Sequence, residues 1–188
     1  MAKANWLKVN PSQGSGNATV NVSSTAEHTG RNVRTTTLTW KAANVAKDVV
    51  RTVNQAGKPA FVDIADTASA DKIGQTVTIT GVSNSKKLTF TLGLGDLELY
   101  LPNIYIANGS EVANGTEIMG DPGASAEYTF SITFVVPANT TTESLSRKII
   151  VTDESGNQDV CILTSAAGDA YLTVQEGTIE LNYQGKGV

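Results

Sequence analysis

Apolar and polar residues trade places at period two along much of this chain, which sets the apolar set of each strand on one face. The clearest case is YTFSITFVV, where Tyr128, Phe130, Ile132, Phe134 and Val136 recur at every second position. Val77 and Ile79 alternate with Thr76, Thr78 and Thr80; Leu88, Phe90 and Leu92 alternate with Thr89 and Thr91. The stretch Gly81–Ser85 between these two runs has hairpin length. In Arg31–Gly57, Thr35, Thr37 and Thr39 alternate with Leu38 and Trp40, and a second strand is expected to end in Val53-Asn54-Gln55-Ala56-Gly57. Trp6–Val9 reads as an opening strand stopped by the turn formers Pro11–Asn17. Ala18, Val20 and Val22 then share one face of the next strand. Further strands are expected at Ala60–Ile64, Lys148–Thr152, Val160–Thr164, Tyr171–Val174 and Ile179–Tyr183, with Leu97, Leu99 and Leu101 on one face and Ile104 and Ile106 following. Ala65–Gly74 reads as a loop or a single helical turn. Val45–Val53 is the best helical candidate, but its β-branched residues favour a strand. Short strands punctuated by Gly, Asn and Pro predict an all-β sandwich.

The pattern of the first hairpin returns. Ser146–Gly177 also runs from an Arg through two β-rich strands to Val-Gln-x-Gly, so that Gln55 and Gly57 meet Gln175 and Gly177 at an offset of 120 residues. The expectation is two tandem immunoglobulin-like β-sandwich domains, 1–58 and 59–188. The second is larger, with inserted strands and a long loop at 108–126, where Asn108-Gly109, Asn114-Gly115 and Asp121-Pro122-Gly123 are turn signals. Long surface excursions often carry binding. Gly57-Lys58-Pro59 is too short for a flexible linker, so the two are expected to pack closely. A core of some 60 residues is marginal, and Trp6 and Trp40 are expected to supply much of its burial.

A formal net charge of −4 argues against a nucleic-acid partner. No stretch approaches a membrane span, and MAKANWLKVNPSQG has no apolar run of the kind a secretory signal needs. Synthesis in a bacterial cytoplasm is therefore expected. The one cysteine, Cys161, lies in the apolar run Val160–Leu163 and reads as a buried thiol.

Catalysis has little to build on. His28 is the only histidine and lies in a polar loop, where it is expected to be solvated, and no Gly-x-Ser-x-Gly occurs. Neither a catalytic residue nor a cofactor or metal ligand is assigned. Asp63, Asp66 and Asp71 are close in sequence and rich in oxygens that suit Ca²⁺, but their spacing fits no EF-hand, and Asp66-Thr67-Ala68-Ser69 equally suits a helix N-terminus. Gly93-Leu94-Gly95-Asp96 lacks the third glycine of a nucleotide loop and reads as a turn between strands. Trp6, Trp40, Tyr100, Tyr105 and Tyr171 are the aromatics that an exposed sugar-stacking platform would draw on; both tryptophans sit among apolar neighbours, which favours core packing. Five Asn-x-Ser/Thr sequons, at Asn17, Asn21, Asn108, Asn114 and Asn139, are expected from a composition this rich in Ser and Thr.

The first 57 residues resemble the BACON domain, a small immunoglobulin-like module common in Bacteroidetes and their phages. The resemblance rests on Trp6-Leu7-x-Val9, Gly14, the alternation Ala18–Ser23, Arg34 before a Thr-rich strand, and Val53-Asn54-Gln55-Ala56-Gly57. It implies a non-enzymatic virion protein, similar in kind to the auxiliary (decoration) capsid proteins and head fibres of crAss-like phages, with the major capsid protein as partner and the capsid surface as its location. The alternatives are a carbohydrate-binding module for cell-surface or mucosal glycans, and a head-fibre or adhesin subunit. This step is association by family, not chemistry.

Overall fold

The computed structural model describes residues 3–15, 17–172, 177, 183 and 184. Its strands are β1 (Leu7–Asn10), β2 (Asn21–Ser24), β3 (Arg34–Trp40), β4 (Val49–Gln55), β5 (Val62–Ile64), β6 (Thr67–Ala70), β7 (Gln75–Ser83), β8 (Leu88–Gly95), β9 (Ile104–Ala107), β10 (Ser110–Ala113), β11 (Tyr128–Val136), β12 (Leu145–Asp153) and β13 (Gln158–Ser165). The helical content among the described residues is one 3-10 turn, Pro122–Ala124. The protein is all-β, as the period-two pattern predicts.

From β5 onward the strands form two sheets, a five-stranded one in the order β10-β9-β11-β7-β5 and a four-stranded one in the order β6-β13-β12-β8. β11 anchors the first. It pairs along its whole length with β7, from Tyr128 opposite Ser83 to Val136 opposite Gln75. Its alternating residues Tyr128, Phe130, Ile132, Phe134 and Val136 are all buried, against Phe90, Ile149, Val151 and Leu163 of the other sheet. Phe90 tilts onto Tyr105 and meets Phe130 edge-on, with ring centroids 5.1 and 5.8 Å apart.

Residues 1–58 contribute two smaller pairs, β1-β2 and β3-β4, the latter being the expected hairpin from Arg34 opposite Gln55 to Trp40 opposite Val49. Their buried core is Leu7, Val9 and Leu38, with Trp6, Val20, Trp40 and Val53 half-buried against it. The aliphatic residues, and not the tryptophans, thus take the centre.

Several expectations change. Thr67–Ala70 is a strand, not a loop or helical turn; it joins the sheet edge parallel to β13, whose partners override the weak β-propensity of its alanines. β7 and β8 do not form a hairpin. The loop after Ser83 carries the chain from one sheet to the other, where β8 pairs with β12. Tyr105 and Ala107 point inward, so Ile104 and Ile106 face out. The 108–126 segment is not one long loop: Asn108 and Gly109, both with positive φ, turn β9 into β10, and Val112 and Ile118 are buried. The second strand starts only at Asn21, and Val22 is exposed. Gly93–Gly95 is the end of β8, paired with β12, not a turn. Tyr171 and Leu172 are described outside any strand, whereas Gln175 and the Ile179–Leu181 part of the last expected strand lie outside the described residues.

The N-terminal hairpins meet the sandwich through a knot of hydrogen bonds. Arg31 Nε donates to the Asn84 carbonyl at 2.6 Å, Arg31 Nη1 approaches Glu154 Oε1 at 3.1 Å, and Arg31 Nη2 pairs with Asp121. The Arg31 and Asn32 amides donate to the Gly123 and Ala124 carbonyls, both at 2.9 Å. Asn84, fully buried, sends its amide nitrogen to the carbonyls of Thr29, Lys58 and Pro59 at 3.0 to 3.2 Å and accepts from the Phe61 amide at 3.0 Å. A Cβ on Gly123 would collide with the Asn84 backbone, which is why the chain needs glycine there. Arg31→Met leaves Glu154 and Asp121 without their cation, and the expected cost is about 2 kcal/mol in urea denaturation of the whole chain. An unchanged midpoint would show that the knot does not stabilise the protein.

Candidate functional site

β1 ends at Asn10, and the turn-forming run that follows cannot continue the ladder. It swings past the end of β3 instead. Ser12, Gln13, Ala18, Thr39, Trp40 and Lys41 there line an open pocket of about 430 Å³. Trp40, the last residue of β3, is partly buried against the small core and also lines the pocket. The side chains of Ser12, Gln13 and Thr39 make no hydrogen bond to the protein among the described residues, and so remain available to a ligand. An apolar ring flanked by a few uncommitted hydroxyl and amide groups is a usual composition for a small polar ligand's site.

Trp6 is placed differently. The Arg34 guanidinium lies over its ring at 4.6 Å from the centroid, held there by Gln55 Oε1 at 2.7 and 2.9 Å and by the Ala26 carbonyl at 3.2 Å. Its face is therefore already covered. Tyr105 is buried and is excluded as a platform; burial pushes its phenol up to about 12. Tyr100 and Tyr171 are exposed. Tyr100 stands beside Leu101, Pro102, Val135 and Pro137 around an apolar groove of about 570 Å³ on the sandwich.

The other candidates do not converge. Asp63 lies in β5, Asp66 between β5 and β6, and Asp71 beyond β6, and among the described residues no three acidic, histidine or cysteine side chains gather closely enough to hold a metal ion. His28 is buried, against the expectation of a solvated ring, because Nε2–H donates to the Asn32 carbonyl at 2.7 Å in the turn leading to the junction. Of the sequons, Asn139 is buried and bonds the Glu143 and Ala166 carbonyls and the Thr141 amide, and Asn114 clamps both backbone groups of Phe90. Neither side chain is free to carry a glycan in the folded protein.

Residues 1–56 match the BACON family model, described as "Putative binding domain, N-terminal". They are a BACON-type domain. The match covers the four N-terminal strands and ends one residue before Gly57. The sequence matches no curated protein. Among solved structures, one similar chain is an endo-fucoidan hydrolase from glycoside hydrolase family 107, at 9% identity and a TM-score of 0.34, covering 92% of this chain and 23% of that one. This chain spans under a quarter of that protein's length, and so shallow a likeness carries no argument about activity.

Cys161 sits in β13 with no exposed surface, and burial, followed by the nearby Asp66 and Asp159 charges, pushes its thiol up to about 11. Below that value the thiol stays protonated. At pH 8 the folded protein is expected to leave a thiol-reactive disulfide reagent unreduced, and one thiol per chain should appear on addition of denaturant. Rapid reaction in native buffer would contradict the burial.

Proposed function

We propose that this chain is a non-enzymatic binding protein whose BACON-type domain holds a polysaccharide at the Trp40 pocket, with residues 1–58 and 59–188 acting as two units. The observation that carries the reading is the pairing of a half-exposed indole with Ser12, Gln13 and Thr39 in one recess. Sugar rings present C–H faces to an aromatic and hydroxyls at their rim, which is the complement of that lining. The description of the matched family as a binding domain supports the same class of function. Affinity would come from repeated weak contacts along a polymer.

Trp40→Ala is expected to weaken retention in polysaccharide affinity electrophoresis by about tenfold, as removal of a central aromatic contact does. Because Trp40 also touches the core, the variant's thermal midpoint is measured alongside it, and Gln13→Ala, at an exposed loop position, supplies a second loss without core damage. Undiminished retention of both variants, or no retention of the parent protein on any polysaccharide, would overturn the reading.

A second reading, an auxiliary protein seated on a phage capsid, is favoured by the Tyr100 groove. Its apolar lining suits a protein surface better than a sugar. On that reading the sandwich faces the capsid and the BACON-type domain points away from it. Saturable co-sedimentation with phage heads, lost in Tyr100→Ser, is the outcome it requires.

A further inference from the structure

The overall charge of −4 conceals a strong polarity. Residues 1–58 hold eight Lys and Arg against two acids, a net of +6, whereas residues 59–188 hold six against sixteen, a net of −10. Part of the positive charge is spent at the junction, where Arg31 is held by Asp121 and Glu154 and Lys58 lies 4.0 Å from Glu127. A second group stands at the opposite end of the β3-β4 hairpin. Lys41 lines the Trp40 pocket; Lys47 and Arg51, together with Asp48, line a recess of about 420 Å³ at the start of β4, where Val49 pairs with Trp40. Trp40 pairs with Val49 and Leu38 with Arg51, which places Trp40 and Arg51 diagonally on one hairpin face. Lys47 and Arg51 are exposed, and neither has a carboxylate partner among the described residues. Lys41 does pair with Asp48, at 3.3 Å, but with side-chain exposures of 75% and 42% that contact is worth little and is readily exchanged.

We infer that the ligand of the Trp40 pocket is an acidic polysaccharide, whose carboxylate or sulfate groups meet Lys41, Lys47 and Arg51 while a sugar ring lies against the indole. The inference rests on the glycan-binding reading above and names the ligand class. Distance makes it compatible with the acidic sandwich. Six residue steps of β3 separate Arg34 from Trp40, roughly 20 Å at strand rise. That exceeds the ~8 Å over which physiological salt lets exposed charges interact. A nucleic acid fits less well, since single strands are held by successive aromatic platforms along a basic groove. Here one indole is open and the other, Trp6, is covered by Arg34.

The test uses the whole chain in affinity electrophoresis and titration against alginate (carboxylate), dextran sulfate (sulfate) and neutral dextran and laminarin, with single-stranded DNA as competitor. The expected result is preference for one or both acidic polymers, with affinity falling at least about fivefold between ~0.05 and ~0.5 M NaCl as the charges are screened. Lys47→Gln with Arg51→Gln should reduce that affinity and flatten its salt dependence, and Trp40→Ala should reduce it further. Neutral polymers bound equally, without salt dependence and unaffected by the Gln pair, would overturn this inference while leaving the Trp40 pocket as a glycan site. Acidic polymers held undiminished by Trp40→Ala, or displaced more readily by DNA than by free acidic glycan, would also overturn it. Binding to no polymer of either class would overturn the glycan-binding reading itself.

Discussion

The contact on which the arrangement depends is the one between Arg31 and the sandwich. A guanidinium that is mostly out of water must find carboxylates and carbonyls in a fixed geometry or the burial is unfavourable. Arg31 finds Asp121, Glu154 and the Asn84 carbonyl. Asn84 in turn closes the other side by reaching back to Thr29, Lys58 and Pro59. The residues so tied lie at both ends of the N-terminal hairpins, just before β3 and just after β4. The small BACON-type domain, whose buried apolar cluster among the described residues is Leu7, Val9 and Leu38, thereby gains fixed polar contacts that its own core cannot supply. Trp40 lies at the other end of the hairpin from this knot, at the far end of β3 from Arg34.

The sequence pattern was informative where burial is one-sided and least so where pairing crosses between sheets. The alternation at Tyr128–Val136 appears as a fully alternating buried strand, since a strand between two partners with one face on the core has a single register that hides its apolar set. Thr67–Ala70 carries no such signal, because a short edge strand of small residues owes its conformation to β13 and not to its own composition. The strand β9 shows that an aromatic with a hydroxyl can take the core face in place of its aliphatic neighbours: Tyr105 is buried, whereas Ile104 and Ile106 face out. Loop length alone cannot distinguish a hairpin from a step between sheets, which is the case at Ser83–Lys87. The candidate aromatics were all readable, but which of them is open depends on Arg34 over Trp6, on the packing of Tyr105 and on the loop beside Trp40. The charge polarity needed no structure at all; it vanishes only in the sum over the chain.

The two halves divide the physical work. The sandwich supplies a broad core, two tightly paired sheets and most of the acid. The BACON-type domain supplies an indole with free polar neighbours and a cationic hairpin tip. Opposite net charges draw the two together at the junction, where Arg31 and Lys58 meet acids of the sandwich. At the hairpin tip, beyond the screening length, the sandwich's charge has little effect.

The central claim is that Trp40, and not Trp6, is the ligand-contacting indole. The most direct measurement is the pair of indole N–H resonances in a two-dimensional NMR titration of the ¹⁵N-labelled chain with acidic oligosaccharide. The account predicts a saturable shift of the Trp40 signal, with Trp6 unmoved under Arg34. A shift of Trp6 alone, or of neither indole while the ligand binds, would contradict it.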